Sequence, residues 1–432
     1  MRSSTRAIEQ ALAAAAANRF NAWTTIDHEA IPRYERASEG SERERILEGM
    51  PCGVKDNIDV AGLPTAEGSA YPAVVSTRDA QVVGALRAAG AVIVGKHAMH
   101  EIAYGATGMV SATAPVMNPR SVERMPGGSS SGSAAAVAAG DVPFAIGTDT
   151  GGSVRVPAAL CGVVGLRPTT GRLQSSGVRP LSPTLDTVGI LAASVGLTRV
   201  VWRAISGAAS RSPAADDAAL SVGVVVDDYF IPESAAITEA VRCATTLLEQ
   251  HGATVTPVRL GWTETMLSIY AHIVGVEAAL VQRNRLSERL PGLQPETYRR
   301  LAEGARTTRQ MYDEALRQRA RIVDDLLRVF DHCDVLICPT TAIIGPRRDQ
   351  KTAKVRGRTV DVGRALVAYT APWSLTGNPA LVVPFGIDPY GQPLSIQLVG
   401  KHGCETRVLD AGSIVEAHYK TAARLRWQER RL

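Results

Sequence analysis

Aromatic side chains make up only 5% of this 432-residue chain, and lysine occurs at just six positions: 55, 96, 351, 354, 401 and 420. No unbroken apolar run reaches the ~18 residues of a membrane span, so no membrane span is expected. The opening stretch, polar over Met1–Arg6 and alanine-rich over Ala11–Ala17, lacks an A-x-A cleavage pattern and reads as an amphipathic helix rather than a signal peptide. The six cysteines (52, 161, 243, 333, 338 and 404) are scattered, with no C-x-x-C and no zinc-ligand spacing. Free thiols in a reducing cytoplasm are expected, with Cys333 and Cys338 as plain core groups. The formal net charge is only +5 and is spread along the chain, whereas a nucleic-acid binder concentrates its basic residues. The one basic run, Arg424–Arg431, reads as a solvated helix end.

What is present is enough apolar sequence, 45% against 21% charged residues, to build a large core and to exclude a disordered chain. The first 45 or so residues are helix-like and charged. Val82–Leu86 reads as helix and Ala91–Val94 as a buried strand, and residues 95–133 read as loop. Ser133–Ala139 is a helix ended by Gly140, Val142–Ile146 a strand, and 147–153 a glycine-rich loop. Residues 200–330 carry longer helical patterns, as in Glu239–Gln250 and Arg299–Arg328, and read as a helical cap or pocket wall. Strand-like runs return at Val335–Cys338, Ala380–Pro384 and Ser395–Val399. Without repeats or low-complexity linkers, the expectation is one large α/β domain over 1–432. Its mixed central sheet would carry helices on both faces. Its motif core lies at about 50–190, its variable segment at 200–330, and its C-terminal strands and helix at 331–432.

Two Gly/Ser loops concentrate the chemistry: Pro126–Ser133 and Gly147–Ser153. A phosphate cradle, and with it a nucleotide-binding protein, would use such loops, but Gly132 is followed by Ser133 where a P-loop needs lysine. Residues 128–132 match G-x-S-x-G, yet the preceding stretch is polar and contains Pro126, unlike the strand that must precede a nucleophile elbow. Asp149–Gly151 spells D-T-G, but one copy cannot supply the two carboxylates of an aspartic protease. The fourth reading is a serine hydrolase in which a buried lysine replaces histidine as base. Gly151, Gly152 and Ser153 would bare backbone amides to an oxyanion. Lys55 lies in the apolar, strand-like stretch Cys52–Val60, out of place there unless it has a task or a partner.

Lys55-Asp56, the run 126–140 (PGGSSSGSAAAVAAG) and the run 147–157 (GTDTGGSVRVP) closely resemble the amidase signature family. The spacing from Ser129 to Ser153 fits as well. The likeness continues through 165–171 (GLRPTTG), 185–189 (LDTVG), 339–340, 375–380 (LTGNPA) and 397–400 (QLVG). It covers nearly the whole chain and is weakest over 200–330. One departure is Ser131, where many members carry glycine.

The resemblance implies the amidase signature fold and a Ser-Ser-Lys triad. Ser153 would be the nucleophile, Ser129 a bridging serine held by a cis peptide, and Lys55 a base that starts uncharged. Thr150, Gly151 and Gly152 would form the oxyanion hole, and Gly127, Gly128 and Tyr104 would contact substrate. Asp149 and Arg155 are expected to make structural contacts around the loop. His97, His100 and Glu101 lack the H-E-x-x-H order and are read as packed side chains rather than metal ligands. No metal or cofactor is expected. The implied reaction is hydrolysis of a small carboxamide, of aryl or arylacetamide type, through an acyl-enzyme in the cytoplasm. The catalytic subunit of a tRNA-dependent amidotransferase or a carboxybiuret-type hydrolase is the alternative. Expected partners are the small amide and, as in many members, a second copy of the chain, without nucleic acid or membrane.

Overall fold

The computed structural model describes residues 2–38, 45–207, 219–287 and 292–429, the side chains of 2, 3 and 419–429 excepted. Eleven strands form one mixed sheet: β1 (Trp23–Ile26), β2 (Pro51–Lys55), β3 (Val92–His97), β4 (Phe144–Asp149), β5 (Val164–Arg167), β6 (Thr187–Ala192), β7 (Ser221–Val225), β8 (Thr254–Val258), β9 (Val335–Pro339), β10 (Ala380–Ile387) and β11 (Pro393–Gly400). Their spatial order is β1-β3-β2-β4-β6-β5-β10-β11-β9-β7-β8. β2 runs parallel to both β3 and β4, so Lys55, His97 and Asp149 finish at one end of the sheet. Crevices at the carboxyl ends of parallel strands are where α/β sheets place ligands.

Both faces of the sheet are covered, which explains why β2, β3, β4 and β6 are buried along their whole length. Successive residues alternate between faces. Ile93, Phe144 and Ile146 join one core cluster, whereas Val92, Val94 and Ala145 join the other. The first cluster is closed by α2 (Gln81–Ala88), α5 (Val195–Ser206), α6 (Ala235–Gln250) and α10 (Glu405–Glu429), and the second by α1 (Arg2–Ala17), α3 (Ser131–Ala139) and α4 (Arg155–Cys161). A third layer, α7 (Met266–Val281), α8 (Pro295–Gly304) and α9 (Arg309–Val329), packs onto Met99, Ile102, Ala103, Leu181 and Leu185. Thr263–Val281 is long and apolar enough by composition to cross a membrane. Its apolar side chains Met266, Ile269, Ile273, Val274 and Ala278 are instead buried in this third cluster.

Several boundaries depart from the sequence reading. β3 runs on to His97 and β4 to Asp149, so Gly147-Thr148-Asp149 is strand, not loop. Glycine suits this strand because a Cβ at Gly147 would stand 2.6 Å from Ser130 Oγ. α3 begins at Ser131, two residues early, and closes on Gly140 in the left-handed conformation, φ 80°. Its small side chains let the helix sink into the core, where Ser131–Val137 are all buried. Arg299–Arg328 is two helices, α8 and α9. Residues 200–330, read as helical, also supply β7 and β8 at the sheet's far edge. Their short runs, SVGVV and TVTPV, hide among strong helix formers. The backbone of α10 continues through 424–429, while the side chains of Arg424–Arg431 lie outside the described residues.

Candidate active site

Lys55 ends β2 with no exposed surface. Its Nζ donates to Ser129 Oγ (2.7 Å) and to Thr148 Oγ1 (2.7 Å). Burial pushes its pKa down to about 7, against the pull of the Asp186 and Asp149 carboxylates, which favour the charged form. A buried amine in this range is a proton acceptor at neutral pH. Thr148 Oγ1 also accepts from Asn57 Nδ2 (3.2 Å), so the lysine's second partner is itself fixed.

Ser129 follows a cis peptide between Gly128 and Ser129. Its carbonyl accepts from the His100 amide (3.0 Å), tying the loop to the end of β3. The next residue, Ser130, donates its amide to the Ser153 carbonyl (3.0 Å). Ser130 Oγ also donates to the Thr148 carbonyl (3.2 Å) and accepts from the Thr148 amide (3.3 Å), so Ser130 holds the two Gly/Ser loops side by side. Gly127, at φ 78°, leaves room for Pro157, whose Cα a side chain would approach to 2.8 Å.

Ser153 opens on a cavity of about 320 Å³. Thr150, Gly151, Tyr104, Tyr270 and Leu181 line its inner end, and Arg299, Arg300, Glu303, Asp361 and Arg364 its outer end. Behind the loop stands a buried charge cluster. Asp149 accepts from Arg155 Nε (3.0 Å) and Nη2 (2.9 Å) and from Arg167 Nη1 (3.1 Å). Burial alone would raise the Asp149 pKa, but the two guanidinium groups hold it well below the usual carboxylate range. Arg155 reaches further, to the Thr370 carbonyl, Gln397 Oε1 and Ser374 Oγ (2.8, 2.8 and 2.7 Å). This fixes the Ser153 loop against the C-terminal half of the sheet.

The same carboxylate alters the oxyanion expectation. The Gly152 amide donates to Asp149 Oδ1 (2.9 Å) and the Val154 amide to Oδ2 (3.2 Å). Gly152 is therefore not a free donor, and those two amides are closed to a phosphate as well. The amides of Gly151 and Ser153 have no acceptor among the described residues. Gly127 and Gly128, expected to contact substrate, do not line the cavity. Gly128 packs on Gly105 and Gly108 instead, because the chain needs close backbone approach there. Tyr104 does line it.

His97 and His100 are buried, their pKa values pushed down to about 3 by desolvation. His97 packs against Trp23 at a tilt, with ring centroids 4.2 Å apart and ring planes at 55°. Among the described residues, no three His, Cys, Asp or Glu side chains converge as metal ligands. The sequence reading missed Thr148, Asn57 and Arg167, which lie inside quoted motifs but carry no signal of their direction. It also missed Tyr270. A Cβ at Gly151 would lie 2.1 Å from Tyr270 Oη, so the glycine was the one available hint that something approaches there.

The family model described as Amidase matches residues 6–409. A glutamyl-tRNA(Gln) amidotransferase subunit from Roseiflexus castenholzii is 37% identical over 409 residues, covering 85% of this chain and 81% of the relative. Among solved structures, one described as an amidase superposes with a TM-score of 0.88 at 32% identity, covering 96% of this chain and 95% of that one. The corresponding glutamyl-tRNA(Gln) amidotransferase subunit of Thermotoga maritima superposes at 0.76 with 28% identity, covering 96% and 90%.

Proposed function

The chain belongs to the amidase family of enzymes acting on C–N bonds, and we propose that it hydrolyses a small carboxamide through an acyl-enzyme on Ser153. The observation that carries this reading is the 2.7 Å contact between Lys55 Nζ and Ser129 Oγ in a fully buried setting. Neutral Lys55 takes the Ser129 hydroxyl proton while Ser129 takes that of Ser153. Ser153 Oγ attacks the amide carbon, and the amides of Gly151 and Ser153 receive the oxyanion. Such a donor is worth roughly 3–4 kcal/mol in the transition state. The proton returns through Ser129 to the nitrogen, the C–N bond breaks, and the amine or ammonia leaves. Water, deprotonated by the same relay, then releases the acid.

Tyr104, Tyr270, Leu181, Ala103 and Ala106 give the inner cavity a largely apolar wall with two aromatic rings. That composition favours an aryl or arylacetamide acyl group. The 37% identity to a glutamyl-tRNA(Gln) amidotransferase subunit favours a second reading, in which the same site releases ammonia from an amide donor for a partner protein. Incubating the isolated chain with an amide panel and scoring ammonia tests both. Turnover of aryl amides by the chain alone supports the first reading. Release of ammonia from glutamine only when partner proteins are supplied supports the second and removes the first. Absence of fluorophosphonate labelling at Ser153 removes both.

A further inference from the structure

Glu277 sits on α7, in the stretch where the sequence carries least information, and is 5% exposed. Its carboxylate is saturated. Oε2 accepts from Ser182 Oγ (2.6 Å) and the Thr184 amide (3.1 Å), and Oε1 from Thr184 Oγ1 (2.7 Å) and Tyr312 Oη (2.9 Å). Arg319 of α9 secures Thr184 from the other side, donating to Oγ1 (3.2 Å) and to the carbonyl (3.1 Å).

The segment so gripped, 181–186, leads to the nucleophile. The amides of Leu181 and Ser182 donate to Asp186 Oδ2 (2.8 and 3.0 Å), and Asp186 Oδ1 accepts from Thr150 Oγ1 (2.5 Å). Thr150 and Gly151 face the cavity beside Ser153. Two turns before Glu277 on the same helix face, Tyr270 meets Gly151 from the opposite side. α7 therefore holds the nucleophile loop at two points, by hydrogen bonds through Ser182 and Asp186 and by contact through Tyr270.

We infer that Glu277 is a positioning residue for acyl transfer, setting the Thr150–Ser153 backbone at the carbonyl through Ser182, Asp186 and Thr150. The inference rests on the amidase reading above. A misplacement of a fraction of an ångström at a reacting backbone is costly, because the donors are effective only near the productive geometry. Buried polar networks of this kind transmit position when every member is satisfied.

The test measures the rate at which a fluorophosphonate labels Ser153, at pH 8.0, per folded molecule counted by circular dichroism. Labelling of the parent chain at Ser153 is the check on the underlying reading. With that in hand, Glu277→Ala is expected to slow labelling at least tenfold, and Glu277→Gln to fall between. Ser182→Ala, which cuts the same connection at its other end and leaves α7 intact, is expected to slow it comparably. The acid limb of the rate profile should stay where it is in the parent, because the contacts of Lys55 are untouched. A purely structural role would lower the melting temperature and leave the rate per folded molecule within twofold. That result in Glu277→Ala or in Ser182→Ala overturns the inference.

Discussion

Lys55 Nζ stands 2.7 Å from Ser129 Oγ, although 74 residues separate the two in the chain. Neither group is exposed. In the proposed relay the contact serves only while the amine is uncharged, since an ammonium has three donors and no lone pair to accept a proton.

Activity should therefore rise with pH through an acid limb near 7, the value to which burial pushes Lys55. The profile of kcat/KM against pH checks this, and a limb below 5 would remove Lys55 as the base. Lys55→Ala and Lys55→Arg should each lower kcat by about 10³-fold or more, arginine because it stays protonated. The sign for stability is opposite to that of a salt-bridged lysine. A folded-state pKa below the unfolded value means that the unfolded chain binds more protons. Lys55 thus weakens the fold fully below about 7, and the weakening fades as pH climbs toward the unfolded value of about 10.4.

Ser153→Ala should abolish both turnover and fluorophosphonate labelling. Ser129→Ala should cut turnover severely, about 10²-fold or more, while leaving Ser153 in place to be labelled slowly. Mass spectrometry of the labelled peptide separates the two. Undiminished turnover in Ser153→Ala would rule out the acyl-enzyme.

Asp149→Asn should destabilise the chain by about 3–5 kcal/mol, because Arg155 and Arg167 are left as uncompensated buried charges. Thermal or urea unfolding reads the loss. In the parent, the depressed Asp149 pKa contributes stability present above the unfolded value of about 3.9. That contribution drains away as pH falls below it toward the folded value. A variant with unchanged midpoint would show that the cluster is not a keystone of the loop.

Gly151→Ala should lower kcat by tenfold or more with the fold retained, since its Cβ would lie 2.1 Å from Tyr270 Oη. Adding Tyr270→Phe removes the clashing oxygen and should recover part of the loss. The double-mutant cycle then shows a coupling of roughly 1 kcal/mol or more. Strict additivity would mean that the loop and α7 do not press on each other.

The layered α/β architecture was legible because it is written in local patterns. The β-branched run at Ala91–Val94 and the alanine-rich run before Gly140 mark strand and helix by residue type and spacing alone, and the two Gly/Ser loops mark themselves by composition. β7 and β8 were not legible, because such short strands take their identity from the neighbours they pair with, β7 from β9 and β8, and β8 at the edge from β7 alone. The extension of β4 through Gly147 was hidden for a related reason. Glycine reads as loop until Ser130 is known to approach it.

The residue types that stand ready for the chemistry are written in the chain itself: Lys55 in an apolar stretch, and Ser129 and Ser153 in loops rich in glycine. Tertiary structure alone decided how they are used. Burial lowers the lysine's pKa to about 7, the pairing of β2 with β4 brings Thr148 beside it, and the Asp149 carboxylate occupies the Gly152 amide. The contact of Tyr270 with Gly151 and those of Glu277 with Ser182 and Thr184 come from one helix, α7, more than 100 residues downstream of Ser153. Such long-range pairings leave no periodicity in the chain, because each side chain's direction is fixed by what packs against it and not by its neighbours in sequence.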